Sequence, residues 1–234
     1  MPNATYVLAV DWNNNGSFVD ANEDITALTI RIEYIRGRDY ASQLTGRASA
    51  GELIASLDNE DVRFNSFNTA SPLSGNLLPG RKVRLTTTAP AAYTLWQGFL
   101  DKIEPLPQLV GLSRATLRAV GPLAFINQKQ VAVAVKTNVL TGTAIGDILD
   151  DAGWAAADRT IDAGQTTMTR WWADRQLALS ALRNIEETDA GFLYEGKDGK
   201  IIFEDRNHRL ASPHQTSQAT FSDAAGAARS YFQI

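Results

Sequence analysis

Gly80-Arg81-Lys82-Val83-Arg84-Leu85-Thr86-Thr87 and, a few residues on, Tyr93-Thr94-Leu95-Trp96-Gln97-Gly98-Phe99-Leu100 decide the fold of the first half of this chain. In the first run Val83 and Leu85 alternate with Lys82, Arg84 and Thr86, the period-two pattern of a strand with one buried face. The second run follows after a short connection and reads as its hairpin partner. Working outward, Tyr6 to Val10 is a short apolar run that breaks at the turn formers Asp11-Trp12-Asn13-Asn14-Asn15-Gly16. Residues 25–34 alternate Ile25, Ala27 and Thr29 against Leu28, Ile30, Ile32 and Tyr34, which predicts a strand with one buried face. Gly51 opens another, Leu53-Ile54-Ala55-Ser56-Leu57, closed by Asp58-Asn59-Glu60-Asp61. Residues 66–79, rich in Ser, Asn, Gly and Pro, read as a long loop. Short strands punctuated by turns predict a small antiparallel barrel or sandwich over residues 1–121.

After Pro105 and Pro107 the pattern changes. Residues 113–120 and 130–136 still read as strands. Residues 143–153 place apolar side chains at helical spacing, with Gly153 where a C-terminal cap glycine belongs. A second helix is expected from about Gln176 to Glu187, with Ala178, Ala181, Leu182 and Ile185 on one stripe and Asp189-Ala190-Gly191 stopping it. Phe192-Leu193-Tyr194-Glu195, the turn Gly196-Lys197-Asp198-Gly199 and residues 200–205 make a β-hairpin. From Pro213 the chain is polar and rich in small residues, and Tyr231-Phe232-Gln233-Ile234 resembles the start of a strand. The expected class is therefore α+β: an N-terminal antiparallel barrel or sandwich, then a small α/β domain over residues 122–234 with two helices and a β-hairpin.

The chain has 234 residues, 44% of them hydrophobic, enough to bury roughly 70% of the extended surface in a core. A net charge of −4 offers no electrostatic reason to wrap a polyanion or an anionic membrane. No apolar run is long enough to span a bilayer, and Met-Pro-Asn-Ala-Thr-Tyr-Val lacks the charged region of a signal peptide. The absence of cysteine removes disulfide scaffolds, thiol nucleophiles and thiolate zinc sites. With only His208 and His214, a histidine-rich metal centre cannot be built. Asp150/Asp151 and Glu186/Glu187 are helix neighbours pointing about 100° apart, which suits a solvated face rather than an acid/base pair. No catalytic residue and no organic cofactor site is assigned, and the chain is not expected to be an enzyme.

Asp11-x-Asn13-x-Asn15-Gly16-x-Phe18-x-Asp20 places oxygen-bearing side chains at alternate positions before a glycine, as in the first half of an EF-hand-type loop. Asp11, Asn13, Asn15 and Asp20 are thus candidate calcium ligands, set against an ordinary Asx-rich turn. Asn22 stands where a bidentate Glu belongs, and Glu23 and Asp24 are offset by one or two positions. Arg31, Arg36, Arg38, Arg47, Arg63, Arg81, Lys82 and Arg84 load the first half with cations. The expectation is that they line outward strand faces, paired with Asp39, Asp58, Glu60 and Asp61, or contact a neighbouring subunit. Trp171-Trp172 could serve as a sugar-stacking pair, although a Trp pair is more often half core and half interface.

Several of these stretches, in order and spacing, resemble the N-terminal barrel of phage tail-tip and baseplate-hub proteins. They are Asp11 to Gly16, Arg36-Gly37-Arg38-Asp39, Gly51 to Asn59, Arg63-Phe64, Ser71-Pro72-Leu73-x-Gly75-x-Leu77-x-Pro79-Gly80-Arg81 and Trp96-Gln97-Gly98-Phe99-Leu100-Asp101. Thr143 to Gly153, Trp171-Trp172, Ala178 to Ile185, Asp189-Ala190-Gly191 and Asp198-Gly199-x-Ile201-x-Phe203-Glu204-Asp205-Arg206 resemble the α/β segment that follows the barrel in such hubs. The resemblance implies a virion structural protein, assembled in the host cytoplasm as a homo-oligomeric ring at the distal end of the tail tube. A trimer is expected ahead of a hexamer, with the tube or distal tail protein and other tail-tip proteins as neighbours and DNA only passing through. Hubs of this family carry two barrels per subunit. Ile234 falls about where a second would begin, so that barrel is expected from another chain or a longer form of this one, unless the ring has another symmetry. The candidate contact residues are Arg36, Arg38 and Arg81, with Trp12 and the 66–79 loop as packing elements. The alternative is a calcium-stabilised β-module binding cell-surface glycan through Asp11, Asn13, Asn15, Trp171 and Trp172.

Overall fold

A computed structural model of the chain describes residues 5–37, 47–88, 91–106 and 113–217. Strands β1 (Tyr6–Val10), β2 (Thr29–Gly37), β3 (Ser49–Asp58), β4 (Lys82–Thr87), β5 (Tyr93–Leu106) and β6 (Arg114–Val120) form one antiparallel sheet in the order β1-β4-β5-β6-β3-β2. The alternation seen in the sequence sets the inner face. Leu53, Ala55 and Leu57 of β3, Val83 and Leu85 of β4, and Ala115, Leu117 and Ala119 of β6 are buried around Trp96. Glycine leaves room for that indole: a Cβ on Gly98 would lie 2.4 Å from Trp96 Cη2 and one on Gly51 3.0 Å from Trp96 Nε1. Register shifts at Leu85/Thr86, Leu100/Lys102 and Thr29/Arg31 are β-bulges, and they curl the sheet into a half-barrel rather than a two-sheet sandwich.

Residues 59–79 plug the barrel by a succession of tight turns. Phe64 and Leu73 enter the core, the Phe64 amide donates to Asn59 Oδ1 at 3.0 Å, and Ser71 Oγ donates to the Arg63 carbonyl at 2.7 Å. At the other side Val10 N donates to Glu23 O and Ile25 N to Leu8 O, both at 2.9 Å, so residues 23–25 pair with the free edge of β1. The single strand expected over 25–34 is corrected at this point. Thr26–Leu28 forms a 3-10 turn, β2 begins only at Thr29, and Ile30 and Tyr34 lie exposed instead of on a buried face. Among the described strands β2 pairs with β3 alone and not with β1, so Ile30, Tyr34 and Ile35 stay exposed while Ile32 packs partly on the barrel core.

The second half is built on α1 (Pro122–Ile126), β7 (Gln130–Leu140), α2 (Thr141–Asp151), β8 (Arg159–Ile161), β9 (Thr167–Leu177), α3 (Ala178–Asp189), β10 (Phe192–Glu195) and β11 (Ile201–Glu204). α2 and α3 pack their apolar stripes, Ile145, Ile148 and Leu149 against Ala181, Leu182 and Ile185, into a core that also holds Leu193, Ile201 and Phe203. β10 and β11 form the expected hairpin, extended by β8 running parallel to β11. Gly153, at φ +74°, ends α2 in the left-handed conformation its place after the helix predicted. β8 and β9 were not expected from the sequence. β9 forms a two-stranded antiparallel ribbon with β7 through two register shifts, and because most of its residues face solvent on both sides it lacks a period-two signature. Gln176 and Leu177 finish β9, so the second helix starts at Ala178 rather than near Gln176.

The solvated-face reading of Glu186/Glu187 is also corrected, because Glu186 is buried and only Glu187 faces solvent. Glu186 accepts from Arg183 Nη1 at 2.7 Å and from the Leu193 amide at 2.7 Å, while Arg183 Nη2 reaches across to the Ala48 carbonyl of the barrel at 2.5 Å. Asp189, with no exposed surface, accepts from Thr141 Oγ1 at 2.8 Å and from the Gln165 and Thr166 amides at 2.9 Å each. Burial alone would raise its pKa, but these donors and the Arg206 amide outweigh it and hold the carboxyl below its usual value.

Glu195, 3% exposed at the end of β10, ties the two cores together. Its Oε2 accepts the Gly51 amide of β3 at 2.8 Å and its Oε1 the Leu123 amide of α1 at 2.7 Å. The carboxylate needs backbone on both sides: a Cβ on Gly121 would lie 2.1 Å from Glu195 Oε2, and one on Gly51 2.7 Å away. Glu195→Ala therefore leaves two buried amides without acceptors and is expected to cost about 3 kcal/mol in urea unfolding. Gly121→Ala is expected to cost about 2 kcal/mol through overpacking. Burial raises the Glu195 pKa above 4.5 despite the Leu123 and Gly51 amides. Its contribution to stability is thus full at low pH and is lost as pH rises through the raised pKa. Glu195→Gln, which cannot ionise, should flatten the fall in unfolding free energy that sets in as pH rises above 4.5.

Candidate functional site

Where β1 and β2 fail to meet, the half-barrel opens a seam of about 590 Å³ lined by Tyr6, Leu8, Ile30, Ile32, Tyr34 and Leu95 among others. Tyr6, Ile30 and Tyr34 are 53%, 50% and 43% exposed, more apolar surface than isolated side chains on a soluble face would present together. β2 offers its backbone as well. Paired on one side only, it turns alternate amides and carbonyls of Thr29–Gly37 outward, a ready edge for another strand. The outward Arg31 is ion-paired with Glu33 on the same strand, so charge dots the edge without covering it.

The residues expected at an interface are scattered by the structure. Trp12 is corrected: it is 3% exposed, packs near Phe64 inside the barrel and donates its indole N–H to the Asn22 carbonyl at 2.9 Å. A side chain so enclosed serves the subunit's own core. Arg36 is exposed on β2 and its charge is felt by Glu195, whereas Arg81 is half-buried ahead of β4. Arg38 lies outside the described residues, as does Tyr231-Phe232-Gln233-Ile234. The expected cation partners are mostly replaced: Arg63 does pair with Asp61 at 2.6 Å, but Lys82 meets Asp158, Arg47 meets Glu187, and Arg84 stacks over Phe18 at 4.1 Å. Trp171 and Trp172 are successive residues on β9. Trp171 packs on the second core while Trp172 is 53% exposed, so they face opposite sides of the ribbon and form no common stacking platform.

The Asp11 loop is drawn together. Asp11 Oδ1 accepts the Asn15 amide at 3.0 Å and Oδ2 the Gly16 amide at 2.8 Å; the side-chain amides of Asn13 and Asn15 donate to Asp20 Oδ2 at 3.0 and 2.6 Å. A second cluster joins the two histidines to an acid far from them in sequence. Asp162 Oδ2 lies 2.6 Å from His208 Nδ1, and His208 Nε2 lies 3.2 Å from His214 Nε2, beside a cavity of about 440 Å³. Asp162 follows a strand too short to predict, β8, and comes to the histidines only because β8 runs alongside β11. An imidazole so oriented can pass a proton. Among the described residues no three His, Cys, Asp or Glu side chains stand in metal-holding geometry.

No protein-family model matches the chain, and no curated protein matches it by sequence. Solved structures do match. The chain is similar to the 43 kDa tail protein of prophage MuSo2 from Shewanella oneidensis, with a TM-score of 0.52 and 13% identity over 86% of this chain and 54% of that one. It is similar to the tail protein from Neisseria meningitidis MC58, with a TM-score of 0.53 and 11% identity over 85% of this chain and 50% of that one. A Francisella PdpA–VgrG complex matches at a TM-score of 0.50 and 12% identity, over 86% of this chain and 31% of that one. This chain therefore spans about half the length of the two tail proteins it matches. At these identities the likeness is one of fold: the α+β architecture is shared with phage tail proteins, as the sequence resemblance implied.

Proposed function

We propose that the chain is a non-catalytic structural subunit of the tail tip of a phage, or of a phage-derived particle, and that copies of it close into a ring at the distal end of the tail tube. The observation that carries this reading is the open seam on a tail-protein fold, an apolar groove flanked by an unpaired strand edge. A neighbouring copy would cover Ile30 and Tyr34 and complete the hydrogen bonding of β2, the general remedy for an exposed edge. A trimer remains the expected symmetry. The tube or distal tail protein would sit on one face and host-contact components on the other, with Arg36, Arg38 and Arg81 as polar contacts. A net charge of −4 suits a ring that lets DNA pass without holding it. Its place is the virion tail; no helix among the described residues is long and apolar enough to cross a membrane. The glycan-binding alternative loses its stacking pair to the opposed orientations of Trp171 and Trp172.

Light scattering behind size exclusion, with negative-stain images of any large peak, is expected to give rings with a central hole. The double variant Ile30→Asp/Tyr34→Asp is expected to run as a folded monomer, because both side chains are exposed and exposed substitutions shift stability by only about 0.5 kcal/mol. Rings that persist in that variant would exclude the seam as the contact. A wild-type chain that stays monomeric, alone and with its tail tube, would exclude the ring.

A further inference from the structure

The loop between β1 and β2 gathers more negative charge than its surroundings neutralise. Asp11 and Glu23 are each 1% exposed, Asp20 lies exposed beside them, and none of the three is ion-paired with a described Lys, Arg or His. Glu23 Oε2 accepts the Asp20 amide at 2.9 Å, while Oε1 is buried with no hydrogen-bond partner. The bond to the Asp20 amide turns the Glu23 side chain back onto the loop to which Asp11 and Asp20 belong. A buried carboxylate oxygen without a donor, crowded by two like charges, is a costly arrangement that a cation would relieve.

The donors around that space are all oxygen, three carboxylates and the amide groups of Asn13 and Asn15, with no sulfur or imidazole. Such a hard, flexible set suits calcium better than magnesium, which demands a tighter octahedron, or a transition metal. We propose that residues 11–23 bind one calcium ion through side-chain oxygens of Asp11, Asn13, Asn15, Asp20 and Glu23, with Glu23 Oε1 as the buried ligand. The carboxylates do not yet converge, so binding draws Asp20 inward and turns the Asn13 and Asn15 oxygens, now facing away from Asp20, toward the ion. Glu23 completes what Asp11, Asn13, Asn15 and Asp20 begin, one position beyond the EF-hand spacing. Because the Glu23 carbonyl also accepts the Val10 amide, the ion would brace the free edge of β1 beside the seam, whether or not the chain forms rings.

Calorimetric titration of calcium chloride into the full chain is expected to show one site with Kd of about 0.1–1 mM, and magnesium chloride binding at least about tenfold more weakly. Calcium should raise the melting temperature, and terbium should luminesce on excitation of Trp12, which the loop itself carries. Glu23→Gln and the exposed Asp20→Asn should each weaken calcium at least about tenfold; if Glu23→Gln fails to fold, Asp20→Asn still decides the matter. No heat and no thermal shift at about 10 mM calcium, ten times the weakest expected Kd, would overturn the site. So would wild-type affinity in the Asp20 variant, and wild-type affinity in a folded Glu23→Gln would remove Glu23 from it.

Discussion

Glu195 accepts the Gly51 amide from the barrel with one carboxylate oxygen and the Leu123 amide from α1 with the other. Those segments are far apart in sequence, and the carboxylate holds them at a separation that only glycine at positions 51 and 121 permits. Arg183 adds a second strap from α3 to the Ala48 carbonyl, and Glu186 fixes that guanidinium in turn. Buried charges are stable only when their lone pairs and protons are met, so each strap depends on the backbone around it keeping its place. The two cores, Leu8 to Ala119 and Leu123 to Phe203, are separate clusters joined by these polar straps and by Phe99 of β5, whose ring stacks on Phe125 at 4.3 Å and meets Trp154 at 5.7 Å.

That joint bears on function because it leaves the opposite side of the barrel free. β3, central between β2 and β6, is held from behind by Glu195, while β2 hangs from β3 by one ladder. A sheet with five connected ladders and one missing closure can be finished by a neighbour without being remodelled. In the proposed ring, this edge, unpaired among the described residues, is where a neighbouring copy would dock. The loop carrying Asp11 and Glu23 sits at the start of that seam and sets where β1 stops being covered.

Much of the barrel was legible from residue types alone. The alternation of Val83 and Leu85, of Leu53, Ala55 and Leu57, and the hairpin about Gly196 to Gly199 each report a face or a turn, and local patterns of that kind survive in the folded chain. Failures fall where a residue's neighbours come from elsewhere. Ile30 and Tyr34 alternate as a buried face would, yet lie open because β1 and β2 do not pair. Thr167–Leu177 shows no period because its ribbon is wet on both sides, and Glu186 looks solvated until Arg183 and the Leu193 amide are set against it. Trp12 reads as a surface anchor in a turn of Asn and Gly but is enclosed once residues 59–79 fold over it.

The sequence by itself determined the α+β class, the buried faces of β3 and β4, both helices of the second half and their stops, the oxygen-rich loop at Asp11, and the likeness to tail-tip proteins, because spacing and turn chemistry are properties of contiguous residues. Only the tertiary structure decided that the barrel is a half-barrel with an open seam, that Glu195 is its joint to the α/β layer, and that Glu23 rather than Asn22 turns into the loop. Those outcomes rest on contacts between residues distant in the chain, where burial and the pairing of charges are settled by which backbone happens to lie opposite.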